Sequence, residues 1–321
     1  MCKKSREGSI IMKSAVDGIP FPALPTLLSS ANDLVILRLE HIPRTGYVLP
    51  EVMIVCLATL TRLKTLQIEF QSPSSHPGRI SLPPETRAVL PVLTSFEFRG
   101  VCRYLEELVS RIDSPQLNSI KMSIKYSRLD DFRVAELVEY VNRSYSLQPI
   151  PFRRVKIACD GSGLYFSADD NWWSSDSIAI SCGAFGWQVS DVTHVLSQFS
   201  TILSCVAHLK FCESGRAWSR HSGWLPLGMG DADWLSLFHL FTAVQTLYIP
   251  EELSGQIALA LEGVAGDMVT HVLPALSLLC LENHPASSVE KFVAVRRDSD
   301  RLVTIVKKTE FDARLRCYLS E

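Results

Sequence analysis

Leu34-Val35-Ile36-Leu37-Arg38-Leu39 is followed 29 residues later by Leu63-Lys64-Thr65-Leu66-Gln67-Ile68. Both stretches carry apolar residues at their first, fourth and sixth positions. The frame returns at Leu93, Phe96 and Phe98, and again at Leu117, Ile120 and Met122. Later copies are Val206, Leu209 and Phe211, then Val244, Leu247 and Ile249, then Leu276, Leu279 and Leu281. Two looser copies are Phe152, Val155 and Ile157, and Ser175, Ile178 and Ile180. First positions therefore fall at 34, 63, 93, 117, about 152, about 175, 206, 244 and 276, at intervals of 23 to 38 residues. A unit of this size that recurs cannot bury its apolar face alone, so its copies must stack.

The segments between frames read as helices. Pro50 opens a run with apolar Val52, Ile54, Val55, Leu57 and Leu60, as a proline at the first helical position favours. Residues 101–112 place Tyr104, Leu105, Leu108 and Ile112 at three- and four-residue steps, with Glu106, Glu107 and Arg111 on the other side. Residues 130–141 repeat that pattern, and 191–203, 232–241, 251–264 and 287–297 are further helices. A final strand is expected over 302–306. Strand then helix, about nine times over, predicts an α/β leucine-rich-repeat solenoid, a horseshoe with a parallel concave sheet and helices on its convex side. The solenoid is expected over 21–310, after a disordered or basic tail at 1–20 and before a C-terminal tail at 311–321.

Composition narrows the function. The chain has 321 residues, 47% of them hydrophobic, and a formal charge of −2, which gives no field that favours nucleic acid. The nine cysteines are odd in number, scattered and without a Cys-x-x-Cys pair, and read as reduced thiols. The greasiest region, 257–281, is interrupted by Glu262, Asp267, His271 and Pro274, so no membrane span is expected. Residues 1–13 carry four cations but only the short apolar run Ile10-Ile11-Met12, too brief for a secretion signal. A cytoplasmic or nuclear location is the expectation.

Catalytic and metal motifs were sought by their spacing. There is no phosphate-cradling loop, nucleophile elbow, His-Glu-x-x-His or calcium loop in the sequence. Cys205, His208 and Cys212 come nearest to a metal set. On a strand, however, His208 and Cys212 are separated by about 13 Å at ~3.3 Å per residue, too far to share an ion. No catalytic residue, cofactor or metal is expected. Three stretches fit the repeat badly: 71–84, 160–187 with Trp172, Trp173, Asp169, Asp170 and Asp176, and 216–231 with Trp218 and Trp224. They read as loops between elements.

The residues of the first half resemble one family. They are 57–73 (Leu-Ala-Thr-Leu-Thr-Arg-Leu-Lys-Thr-Leu-Gln-Ile-Glu-Phe-Gln-Ser-Pro), 89–96 (Val-Leu-Pro-Val-Leu-Thr-Ser-Phe) and 104–117 (Tyr-Leu-Glu-Glu-Leu-Val-Ser-Arg-Ile-Asp-Ser-Pro-Gln-Leu). Phe292-Val293-Ala294-Val295-Arg296 resembles the closing helix of the same family. This is the leucine-rich-repeat region of the F-box-like proteins of mushroom-forming (basidiomycete) fungi. The resemblance implies a ubiquitin-ligase substrate receptor whose repeats capture a target protein. It also implies an F-box ahead of the repeats. Leu82-Pro83-Pro84-Glu85 imitates the opening of that motif but runs straight into the frame at Leu93, so adaptor docking is expected only if an upstream F-box exists.

Alternation along a strand puts the residues between frame positions on the opposite sheet face. The expected partner-binding surface there is Arg38, Gln67, Glu97, Arg99, Lys121, Arg154, Lys156, Lys210 and Tyr248, acidic at its flanks and basic near its centre. The first reading is thus a non-enzymatic protein-binding domain. A repeat scaffold or sensor without a ubiquitin link is the second, and a hydrolase with a site in 160–187 or 216–231 the third.

Overall fold

The structure is a computed structural model that describes residues 2–4, 9–13, 26, 28, 31–71, 87–125, 134–145, 153–160, 163–169, 177–183, 189–212, 231–264, 268–283 and 289–311. Most of the expected loop at 71–84, the Trp172-Trp173 pair with Asp170 and Asp176, and nearly all of 216–231 lie outside the described residues. The chain is mixed α/β and divides by contact into two units, Met1–Pro149 with Ser175–Gly183, and Ile150–Ser174 with Ala184–Glu321.

The first unit holds strands β1 (Cys2–Lys4), β2 (Ser9–Lys13), β3 (Ile36–Ile42), β4 (Thr65–Phe70), β6 (Ser95–Gly100), β8 (Ser119–Lys125) and β11 (Ser177–Gly183), hydrogen-bonded in that order. All neighbouring pairs are parallel except β1 with β2. A side pair, β5 (Ala88–Val89) and β7 (Ile112–Asp113), is also parallel. Its helices are α1 (Pro50–Ala58), α2 (Cys102–Val109) and α3 (Ala135–Tyr145). Strands β1 and β2 lie in the stretch read as a tail. The Ile10-Ile11-Met12 run pairs with Leu37-Arg38-Leu39.

In the second unit the order is β10 (Gly163–Asp169), β9 (Arg154–Asp160), β12 (His208–Phe211), β13 (Thr246–Ile249), β14 (Leu278–Leu281) and β15 (Thr304–Val306). Only β10 and β9 run antiparallel. The helices are α4 (Val189–Ser197), α5 (Ser200–Leu203), α6 (Asp231–Phe238), α7 (Glu251–Gly263), α8 (Met268–His271) and α9 (Glu290–Asp298).

The apolar frame sets the register in both units. Ile10, Leu37, Leu66, Phe96, Ile120 and Ile178 form one rung across the strands of the first unit. Val155, Leu209, Leu247, Leu279 and Ile305 form another across the second. Leu37, Leu66, Ile120, Val155, Leu247 and Leu279 are fully buried. Six of the strands are entered in the same way. The frame's first residue closes a tight turn, with its N–H donating to the carbonyl three residues back: Leu34 to Ala31, Leu63 to Leu60, Leu93 to Leu90, Leu117 to Ser114, Val206 to Leu203 and Leu276 to Leu273. The next N–H then reaches the preceding repeat: Lys64 to Val35, Thr94 to Lys64, Asn118 to Thr94, Gln245 to Ala207 and Ser277 to Gln245. These bonds satisfy backbone groups that the turn would otherwise strand at the edge of the core.

Side chains show which face the helices cover. Phe96 meets Tyr140 of α3 edge-on, and Phe70 and Phe98 pack on Tyr104 of α2. Phe211 packs edge-on against Trp234 and Phe238 of α6. Gly100 ends β6 against this aromatic cluster, where a Cβ would come within 2.8 Å of Phe98 Cζ and 2.9 Å of Phe70 Cδ2. Successive helices are also joined by a carboxylate. The Glu136 and Leu137 N–H groups at the start of α3 donate to Glu106 of α2, both at 2.9 Å, and those of Lys291 and Phe292 in α9 donate to Glu262 of α7 at 2.9 and 3.3 Å. Each glutamate thus caps the N-terminus of the next long helix of its unit, where orphan donors and the helix dipole favour an anion.

The middle of the chain departs from the sequence reading. Frames at 117, 152, 175 and 206 were expected to stack consecutively. Instead Ile178 pairs with Ile120 in the first unit, while Val155 pairs with Leu209 in the second. Residues 163–169, expected within an irregular loop, form β10. The register of Gly163 opposite Asp160 leaves only Gly161 and Ser162 to join β9 to β10, the spacing of a tight hairpin. Leu164, Phe166 and Ala168 of β10 are buried, with Phe166 stacked on Phe199.

Candidate functional site

The sheet face away from the helices carries the residues between frame positions, and the two units furnish it differently. In the first unit Arg38, Gln67, Glu97, Lys121 and Ala179 stand opposite one another on successive strands. Neighbouring strands are ~4.8 Å apart, so Arg38, Gln67, Glu97 and Lys121 make a continuous run of polar groups, with Ile11 opposite Arg38 at one end and Ala179 opposite Lys121 at the other. Lys121 is exposed, and Arg38, Gln67 and Glu97 are half-buried. Glu69, Arg99, Ser123 and Ser181 form the next row. There Arg99 Nη1 donates to Glu69 Oε1 at 3.0 Å, and His41 Nδ1 lies 3.5 Å from the same oxygen. Arg99 is therefore committed to an ion pair within the sheet. His41 sits at the irregularity between β3 and β4, with φ at 54°, the left-handed conformation that turns its ring toward Glu69.

In the second unit the equivalent row is Ser167, Lys156, Lys210, Tyr248, Cys280 and Val306. It starts polar and ends apolar. Arg154, expected in a cationic centre with Lys121 and Lys156, is only 7% exposed. Lys121 belongs to the first unit, and Arg154 and Lys156 to the second. His208 stands opposite Arg154, and its pKa is pushed down to about 4, first by burial and then by the charges of Arg154 and Arg153. It is neutral at physiological pH.

Tyr248, expected as an exposed contact, is buried. It packs with Leu278, Cys280, Val306 and Phe311 in a cluster on this face. The Phe311 ring lies 5.2 Å from that of Tyr248 at a 49° tilt. The physical reason is the sequence after β15, where the chain makes a helical turn over 308–311 with the Phe311 N–H donating to Lys307 O at 2.9 Å. Residues three apart on such a turn share a face. Lys308 and Phe311 both point at the sheet: Lys308 Nζ contacts Glu282 Oε1 at 2.5 Å, and the Tyr248 hydroxyl donates to Glu282 Oε2. Lys210 Nζ sits 4.7 Å from the centre of the Tyr248 ring, within cation–π range. Burial works to raise the Glu282 carboxyl, but hydrogen bonds from Lys308 and Tyr248 and the charges of Lys308 and Lys210 outweigh it and hold the group below its ordinary value.

Strand alternation puts Glu282 in the outer-face column of Glu69 and Arg99, and the charged run 307–316 reads as part of a cap on the last repeat, but the sequence does not join Lys308 and Phe311 to Tyr248. The available signal was Phe311 itself, a lone large apolar residue among Lys307, Lys308, Glu310 and Asp312. The hold on this turn is modest. Burying a phenylalanine contributes roughly 1.5–3 kcal/mol, whereas fixing each of four backbone residues costs about 1–2 kcal/mol. A charge-assisted hydrogen bond adds roughly 1.5–3 kcal/mol before discounting for Lys308, which is half exposed.

Other candidates resolve structurally. Cys205 is exposed, with its Sγ near Thr201 O, and Cys56, Cys102 and Cys280 fill buried positions. Among the described residues no group of three or more His, Cys, Asp or Glu could hold a metal ion, and no helix is long and apolar enough to cross a membrane. No protein-family model matches the chain, and no curated protein matches it.

Proposed function

We propose that the chain is a leucine-rich-repeat solenoid that binds another protein on the sheet face away from its helices, without catalysing a reaction. On this reading it acts in the cytoplasm or nucleus as the target-recognition part of an F-box-like ubiquitin-ligase receptor. The observation that carries the binding role is the row Arg38, Gln67, Glu97 and Lys121, one side chain per repeat in strict register. Cross-strand pairs of this kind contribute only about 0.2–1 kcal/mol each to a sheet, so stability alone does not account for a graded polar row. A protein target read residue by residue does. The ubiquitin link rests on the family resemblance of residues 57–73, 89–96 and 104–117. A scaffold that binds its target without that link is the second reading.

The test is affinity purification of the full chain followed by mass spectrometry, comparing the wild type with a Lys121→Glu variant. The proposal expects the main partner to fall at least tenfold while the melting temperature stays within a few degrees. A partner retained at full yield would contradict it, as would partner and fold lost together. Recovery of a ligase adaptor decides between the receptor and the plain scaffold.

A further inference from the structure

The turn over 308–311 does more than end the chain. Phe311 packs over Val306 of the edge strand β15 and reaches on across β14 to the Tyr248 ring of β13, about 10 Å from the edge at ~4.8 Å per strand. Two features of the seat match two side chains of what occupies it. The apolar floor of Tyr248, Leu278, Cys280 and Val306 takes the phenyl ring. Glu282 takes the ammonium group of Lys308. The three-residue spacing of Lys308 and Phe311 on one helical turn brings both groups down on the same side. This is how a short helical peptide is held by a groove: one aromatic anchor and one charge, with little else fixed.

We propose that the Tyr248–Glu282 seat is a docking site for a segment of a partner protein that presents a basic residue three positions before an aromatic one, and that Lys308 and Phe311 occupy it as an internal stand-in. The proposal rests on the reading of this sheet face as a protein-binding surface, and it names the chemistry that the face selects. The turn's hold is modest, since one buried ring and one half-exposed ion pair are set against four ordered residues, so a partner segment of the same pattern that adds contacts of its own displaces it by competition. The chain then carries its own competitor, and a partner must exceed it in affinity.

The test uses the full chain and a fluorescein-labelled peptide of its own residues 306–313, Val-Lys-Lys-Thr-Glu-Phe-Asp-Ala. The wild type is expected to bind the peptide weakly, because the seat is filled. Phe311→Ala in the chain is expected to bind it at least tenfold more tightly, with a melting temperature within a few degrees of the wild type. Adding Glu282→Gln to that variant should remove most of the gain, and a peptide whose Phe is replaced by Ala should not bind. Lys308→Glu in the chain sets two carboxylates against each other and opens the seat without truncating the ring; it should tighten peptide binding about threefold. Failure of both Phe311→Ala and Lys308→Glu to raise affinity would overturn the proposal. So would a cooperative loss of fold in Phe311→Ala, which would make the turn part of the core. Lys121→Glu lies in the other unit and should leave peptide binding unchanged. Loss of the cellular partner in that variant, with no peptide binding by Phe311→Ala, would discard this site and keep the proposed function. Peptide binding that depends on Glu282 supports the site whatever Lys121 does.

Discussion

The two units are built on the same kind of ladder and furnish their outer faces differently. In the first, the row beside Leu37, Leu66, Phe96 and Ile120 is Arg38, Gln67, Glu97 and Lys121, polar at these four positions. In the second, the row beside Leu209, Leu247 and Leu279 runs from Lys210 to Tyr248 and Cys280, and Phe311 covers it. The frame residues and the backbone staples are shared, so neither decides what the outer face does. The intervening position of each strand decides it, and that position is free to change without altering the core.

The harshest way to break the comparison is to strike the shared ladder. Leu66→Asp and Leu247→Asp each put an unpaired carboxylate at a fully buried rung. Each should cost more than about 4 kcal/mol and unfold its own unit first, as read by hydrogen exchange with mass spectrometry. If either variant melts both units together, the ladders are one cooperative body.

Arg296 sets the second unit apart, and its removal should come next in size. It is wholly buried in α9, and its guanidinium donates to the carbonyls of Val269, Val272, Leu273, Pro274 and Leu276 at 3.1 to 3.4 Å. Those carbonyls belong to the α8 region and the turn into β14, which an isolated stretch of sequence could not hold closed. Arg296→Met leaves them unpaired and should cost about 3 kcal/mol in urea unfolding. No equivalent loss is expected in the first unit.

Glu106 and Glu262 do the same capping work, so they sharpen the comparison through pH. Burial raises the Glu106 carboxyl to about 7, with the Glu136 charge adding to it and the two backbone N–H bonds opposing. Its folded value lies above its unfolded one, so the native state holds the proton more tightly. The stabilisation is full below about pH 4.5 and is lost as pH rises through 7. Exchange protection at the start of α3 should therefore fall between pH 5 and 8. Glu106→Gln should flatten that profile while losing about 1 kcal/mol or less, because its amide oxygen still accepts one N–H. The smallest effect is that of Lys121→Glu, an exposed position whose reversal should move stability by no more than about 0.5 kcal/mol.

Much of this was legible in the sequence because the ladder is a local pattern. Leu34, Leu63 and Leu93 announce a strand, and the helical spacing of Tyr104, Leu105 and Leu108 announces what covers it. What could not be read was which strand lies beside which. Residues 155 and 178 carry equally good frames, and strand neighbours are set by long-range pairing that a frame does not encode. The sequence Asp160-Gly161-Ser162-Gly163, followed by alternating Leu164, Phe166 and Ala168, did carry a hairpin signal, which the irregular sequence after it obscured. The polar row of the first unit was legible for the same reason as its ladder. Tyr248 was not, because its cover comes from a residue 63 positions later in the chain, and a tyrosine between frame positions looks the same whether bare or capped.

The account depends on β11 lying beside β8, which places Ala179 at the end of the row that Lys121 continues. The direct measurement is oxidation of a Lys121→Cys, Ala179→Cys chain followed by peptide mapping, with Glu97→Cys, Lys121→Cys as the reference pair. Adjacent parallel strands bring such residues to about 5 Å, within disulfide reach, so both pairs should yield a linked peptide. A link between 97 and 121 with none between 121 and 179 would contradict the strand order and the face built on it.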